Sequence, residues 1–347
     1  MKELIDALYE GRMLSKEQFA RLIEEGKPFD EYLFEKARIR ANEVYGRDIY
    51  IRGLIEISNY CRCDCLYCGI RRSNLNVTRY RLSKEEILAC CDMGYELGFR
   101  TFVMQGGEDL YYTDERICDI IRSIKQRHPD CAVTLSIGEK DRASYQAYRE
   151  AGCDRYLLRH ETAAEELYRK LHPKDQTMAN RMRCLYDLKD LGFQVGAGMM
   201  LEAPYQKTED LCEDLYFLKD LDPDMIGIGP FIPHHDTPFR DFKAGTLELT
   251  LRMIAILRLM FPYALIPATT ALGSIDPLGR EKGILAGANV VMPNLSPEQT
   301  RKLYMLYDNK MKADTGQGIS GLKLTEEMKK AGYRIVVARG DVRRNHG

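Results

Sequence analysis

The run Asn59-Tyr60-Cys61-Arg62-Cys63-Asp64-Cys65-Leu66-Tyr67-Cys68-Gly69 follows directly on an isoleucine-rich, strand-patterned segment at residues 51–57. Cys61, Cys65 and Cys68 form a Cys-x3-Cys-x2-Cys triad on one short loop, enough for three irons of a cubane 4Fe-4S cluster and no more. Electron-transfer clusters are usually closed by four cysteines, whereas a metal site with an open position binds and activates something. A zinc site needs a fourth Cys or His, and the nearest idea, His160, lies far along the chain. Cys63 falls out of phase with the triad and reads as a bystander thiol.

The chain of 347 residues, 45% hydrophobic and 30% charged, reads as an ordinary soluble protein within the size of one large α/β barrel. A formal net charge of -1 gives no electrostatic case for nucleic acid or an anionic membrane. No apolar stretch reaches membrane-spanning length, and the charged, amphipathic first residues lack a signal-peptide core, so a cytoplasmic protein is expected. Eleven cysteines, an odd number set mostly in apolar or helical surroundings, read as reduced thiols rather than a disulfide framework.

Outward from the cysteine loop, strand-like runs alternate with amphipathic helical stretches. Runs at 51–57, 101–105, 132–137, 155–159, 193–199, 225–229, 264–268 and 289–292 make eight βα units, the pattern of a (β/α)8 TIM barrel. Ser83-Lys84-Glu85-Glu86 reads as a capping box opening the first barrel helix. Glycines 98, 152, 192 and 287 punctuate helix ends. Three parts are expected: an N-terminal helical extension (1–49), the barrel (50–307), and a short C-terminal extension (308–347) with a helix-like run at 324–331 and a strand-like run at 333–338.

In such a barrel the chemistry belongs in the loops after the strands, where the cysteines already lie. After the second strand, Gly106 and Gly107 precede Glu108 and let backbone approach a ligand closely; the plain alternative is a βα turn. Alternation sends Thr134 and Ser136 to one face of the third strand, and Arg159 and Glu161 to one face at the end of the fourth. An Arg and a Glu entering a barrel need partners, which a ligand or a mutual salt bridge at the rim supplies. Arg181 sits in the helical stretch 178–190, where a solvated face is the ordinary reading, and Thr269 and Met292 end later strands.

With Tyr67 just before the last cysteine, the loop resembles that of the radical S-adenosylmethionine (SAM) enzymes. The segments 59–61, 65–69, 107–109, 156–162, 227–234 and 266–271 are similar to the HydE family of FeFe-hydrogenase maturases, a likeness running from about residue 30 to 310. The resemblance implies a radical SAM enzyme that cleaves SAM reductively to a 5'-deoxyadenosyl radical under anaerobic conditions. It implies Cys61, Cys65 and Cys68 as cluster ligands. It also implies Gly106, Gly107, Glu108, Ser136, Glu161 and Arg181 around SAM, and Thr134, Arg159 and Thr269 around an anionic substrate. That substrate would be an organometallic iron–cysteine–CO–CN unit supplied by HydG, with the product passed to HydF and electrons drawn from a ferredoxin or flavodoxin. Many members carry a second cluster on C-terminal cysteines, but no cysteine follows Cys212, so one 4Fe-4S cluster is expected. The rivals are a methylornithine synthase-like mutase acting on a small amino acid, a biotin synthase-like sulfur donor, and a non-catalytic cluster carrier.

Overall fold

The isoleucine-rich run folds as two strand segments broken at Arg52, β1 (Asp48–Ile51) and β2 (Gly53–Ser58). The computed structural model describes residues 1–310 and 319–344. Five further strands continue the parallel sheet begun by β2: β3 (Thr101–Gly106), β4 (Ala132–Ser136), β5 (Arg155–Leu157), β6 (Gln194–Ala197) and, beyond a short β7 (Met200–Leu201), β8 (Met225–Ile226). β7 instead pairs with β9 (Gly229–Pro230) at the rim. β10 (Val290–Val291) pairs with β1, and single bridges Met225–Leu265, Pro267–Val290 and Leu54–Asn294 close the ring.

The seventh strand, expected at 264–268, is therefore reduced to bridges. Pro267 has no N–H to donate, and the Ile266 N–H goes to the Asn289 side chain at 2.9 Å instead of to a neighbouring backbone. Helices α4 (Lys84–Glu96), α5 (Asp114–Arg127), α6 (Arg142–Glu150), α7 (Glu165–Leu171), α8 (Met178–Asp190), α9 (Thr208–Leu221) and α10 (Leu247–Met260) lie in the connections. This order of strand and helix is the expected α/β barrel. The capping box at Ser83 and Glu86 is formed in both directions.

Alternation along the strands divides the molecule. Ile55, Ile57, Phe102, Met104, Val133 and Leu135 face outward into the core shared with the helices. Leu54, Glu56, Val103, Gln105, Thr134 and Ser136 occupy the alternate positions, in register across β2, β3 and β4, and so face the interior.

Three N-terminal helices, at Lys2–Tyr9, Lys16–Glu25 and Asp30–Tyr45, pack outside the barrel. Arg252 of α10 holds this layer through a two-pronged bond to Asp30 (2.7 and 2.8 Å) and a bond to the Ile23 carbonyl (2.8 Å). At the other end of the chain, β11 (Arg334–Val336) pairs in parallel with β1. The tail then runs beneath the barrel, where its residues meet the N-terminal ends of β3, β5 and β6. Thr101 donates to the Arg339 carbonyl (2.7 Å), and the fully buried Arg155 meets Asp341 at 2.6 Å, as does Gln194 at 2.9 Å. The tail thus forms the barrel floor.

Burial pulls the Asp341 carboxyl up, but the Arg339 hydrogen bond and the Arg155 charge pull it down further, to well below the usual carboxylate range. A depressed folded-state value contributes stability that is whole above the unfolded pKa, about 4, and is lost as pH falls through the folded value. Asp341→Asn is expected to cost about 2 kcal/mol at pH 7, since it strands a buried Arg while its own side chain is partly solvated. It also flattens the acid limb of a pH series of denaturant melts; a parallel acid limb contradicts this.

Candidate active site at the mouth of the barrel

The cysteine loop is held by its own polar side chains. Arg79 threads it and donates to four carbonyls, those of Asn59, Ile70 (2.8 Å), Arg71 (2.7 Å) and Asn74 (3.0 Å). Asp64 accepts from Arg71 Nε (2.8 Å) and from the backbone and hydroxyl of Ser73 (3.0 and 2.7 Å), and the Arg71 bond keeps its carboxyl well below the usual range. Two glycines are required by contact. A Cβ at Gly107 would sit 2.2 Å from the Tyr60 carbonyl and 2.7 Å from Cys61 Cβ, and one at Gly69 would sit 2.2 Å from the Met305 carbonyl.

The four thiols of this loop differ. Cys61 Sγ accepts the N–H groups of Glu108 (3.3 Å) and Cys63 (3.4 Å). Together with the Cys63 thiol, which contributes most, these bring its pKa down to about 7. Burial pushes Cys65 up and Cys68 to about 12. Two half-buried thiols that resist ionisation become thiolates most readily beside a cation. Three sulfurs on one braced loop therefore suit a cationic iron–sulfur centre. Gln176 contacts Cys63 (3.1 Å) and Cys65 (3.2 Å) through opposite ends of its carboxamide.

Below the loop, the structure gathers the strand-end residues singled out in the sequence. Arg159 and Glu161 form the rim ion pair, Nη2 to Oε2 at 3.1 Å, without hydrogen-bond alignment. Arg159 Nη2 donates instead to the Met199 carbonyl at 2.7 Å. Glu161 takes φ 66°, a left-handed conformation costly for a residue with a Cβ, of the kind that concentrates at functional sites. Thr134 Oγ1, Thr269 Oγ1, Arg159 Nε and Glu161 Oε2 are all buried and have no hydrogen-bond partner among the described residues. Leaving such a group unpaired costs about 1–3 kcal/mol, so a polar ligand that fits them relieves a standing penalty. The thiol set and these open valences are of a kind that suits the cluster and polar cofactor that the resemblance implies.

Arg181 departs from its ordinary reading as a solvated helix residue. It is buried, its Nε meets Glu139 at 2.5 Å and its Nη1 donates to the Arg159 carbonyl at 2.8 Å. Glu108 has spent its carboxylate on Arg62 (2.9 Å) and on the Glu139 N–H (2.8 Å), leaving backbone as what its turn offers. His160 is fully buried between Asp214 (3.2 Å) and the Gly198 N–H (3.2 Å), a core role remote from the cysteines, which removes it as a zinc ligand.

One interior group escaped the sequence reading. Glu56, fully buried, bonds the Lys310 ammonium through one oxygen and Asn294 Nδ2 (2.8 Å) through the other. Its signal was an acid at an inward position of an otherwise apolar strand. The segment that bears on a second cluster, residues 310–319, lies outside the described residues over 311–318.

Residues 55–215 match the family model of the radical SAM superfamily. The FeFe-hydrogenase maturase subunit HydE of Thermotoga maritima is 50% identical over 283 residues, covering 82% of this chain and 80% of that protein. The 3-methylornithine synthase of Methanosarcina acetivorans is 32% identical over 306 residues, covering 87% and 86%. Among solved structures, methylornithine synthase (PylB) superposes with a TM-score of 0.84 at 27% identity over 96% of this chain and 97% of that one. The maturase HydG shares the fold, with a TM-score of 0.82 at 21% identity over 97% and 76%.

The loop geometry separates its cysteines by experiment. After anaerobic reconstitution, Cys65→Ser is expected to lose nearly all bound iron and sulfide, while Cys63→Ser retains them. Equal loss from both shows the ligands to be wrongly assigned.

Proposed function

The chain belongs to the HydE family of FeFe-hydrogenase maturases within the radical SAM superfamily, and from that membership we propose that it acts on an iron–cysteine–CO–CN unit supplied by HydG. It is a radical SAM enzyme of hydrogenase maturation, and the superfamily implies a 4Fe-4S cluster and SAM. When bound, the cluster reduces SAM and so supplies a 5'-deoxyadenosyl radical.

Cys61, Cys65 and Cys68 hold the cluster, and the chain carries this one only. The Gly106-Gly107-Glu108 turn offers backbone groups to SAM. Ser136, Glu161 and Arg181 complete its site, Arg181 being oriented by Glu139. Arg159 stands between this site and the interior, where its free Nε, with the hydroxyls of Thr134 and Thr269, receives an anionic substrate. The floor beneath Arg155 shields that interior from water. In this division, residues 1–49 and 308–347 brace the barrel of residues 50–307. HydF takes the product, and a ferredoxin or flavodoxin delivers electrons to the cysteine-loop face.

The observation that carries this reading is the set of buried polar atoms at the strand ends without a partner among the described residues, beside a loop whose Cys61, Cys65 and Cys68 carry the triad spacing. A second reading, a mutase acting on a small amino acid, draws on the similarity to methylornithine synthase. A carrier is disfavoured by the enclosed polar interior, which a protein that only hands on a cluster does not need.

Complementation separates the readings. In a hydrogenase-expressing anaerobic host lacking its own maturase, this chain is expected to restore hydrogen evolution. Arg159→Met is expected to lower it at least 10-fold while leaving cluster content intact, the loss of about one charge-assisted hydrogen bond or more. Cluster-loaded wild-type protein that cleaves SAM but leaves hydrogenase inactive points to the mutase.

A further inference from the structure

Helix α7 and the residue after it also brace the cysteine loop. The Leu66 N–H bonds the Leu171 carbonyl at 2.9 Å, and Leu66 and Tyr67 pack against the apolar cluster that includes Leu167 and Leu171. His172, just past the helix, is buried. Its Nδ1 lies 3.0 Å from the Tyr168 carbonyl, which can only accept, so Nδ1 carries the proton. Burial brings the His172 pKa down to about 3, and a neutral ring then leaves Nε2 to accept from the Tyr67 hydroxyl at 3.1 Å. Tyr168 stacks on the same imidazole, ring centroids 3.9 Å apart and 21° from parallel. The three rings form one wall whose outer member is the aromatic residue of the cysteine motif.

Within that wall one atom is unaccounted for. The Tyr168 hydroxyl is buried in a residue only 1% exposed and has no hydrogen-bond partner among the described residues. The groups that act on it electrostatically are Arg181, Glu139, Cys65 and Glu161, the same ones that surround the proposed cofactor site. Tyrosine hydroxyls buried in proteins usually find a partner. This one is held by the stack among those same groups with its valence open.

We propose that Tyr168 is a SAM-binding residue whose hydroxyl hydrogen-bonds the bound cofactor beside Arg181, with His172 as the positioning residue that fixes both Tyr168 and Tyr67. This rests on the radical SAM reading above. It adds a contact that no part of the sequence pattern marks, since Tyr168 lies in a helix seven residues beyond Glu161.

The test is equilibrium dialysis of SAM against cluster-loaded protein, kept anaerobic and unreduced so that no turnover occurs. Tyr168→Phe is expected to raise the SAM dissociation constant about 5-fold, the size of one neutral hydrogen bond. Iron content should be unchanged. The Tm without SAM should be equal or higher, because an unsatisfied hydroxyl has been removed from the interior. Tyr168→His, which keeps a flat ring with a polar edge, is expected to recover part of the affinity. Unchanged SAM affinity in Tyr168→Phe overturns the proposal, and so does a fall in Tm or iron content, which would assign the hydroxyl a structural partner. Wild-type protein that retains its cluster yet takes up no SAM overturns the radical SAM reading itself, and this assignment with it.

Discussion

A parallel barrel is ordinarily filled with branched apolar side chains, and this one is not. Its interior carries Arg52, Glu56, Gln105, Thr134, Arg159 and Glu161, with Arg155 at the floor. Polar and charged groups taken out of water are costly unless paired. Some of that cost is met within the chain, where Glu56 has Lys310 and Asn294, and Arg155 has Asp341 and Gln194. The remainder, on Thr134 Oγ1, Thr269 Oγ1, Arg159 Nε, Glu161 Oε2 and two nitrogens of Arg52, finds no hydrogen-bond partner among the described residues. Fold stability here is carried by the outer shell, where the outward-facing residues of each strand pack against the helices. The interior is left free for chemistry.

Both ends of the barrel are closed by segments distant in sequence. At the bottom, the tail from β11 to Arg344 meets strand after strand, ending on Asp222 and Asp224. At the top, residues 303–310 stitch the mouth. The Leu303 carbonyl accepts from Asn59, the Leu306 carbonyl from the Gly69 N–H, and Asp308 binds the Pro233 carbonyl and the His235 ring. Lys310 then enters the interior to meet Glu56. The cysteine loop is thus fixed from three sides, by Arg79 within it, by α7, and by this strap.

Much of this was legible in the chain itself. Strand-helix alternation gave the barrel because period-two and period-3.6 patterns are local properties, and the cysteine spacing is a local property of one loop. Arg159 and Glu161 were legible because charge at an inward position stands out. The seventh strand was over-read: its residues are apolar, but Pro267 removes a ladder donor and a side chain takes another. Arg181 was under-read, because a helix pattern does not reveal that its neighbour Glu139 lies at the end of a different strand. Tyr168, His172 and Lys310 were invisible for the same reason. Each acquires meaning only from a partner brought near by the closed ring, and an aromatic residue in a helix otherwise reads as core.

The central claim is that three sulfurs hold a cluster whose fourth iron is open to SAM, and electron paramagnetic resonance of the anaerobically reconstituted, reduced protein tests it most directly. Addition of SAM is predicted to shift the g values of the reduced cluster, as ligation at a unique iron must. A spectrum identical with and without saturating SAM would contradict the account.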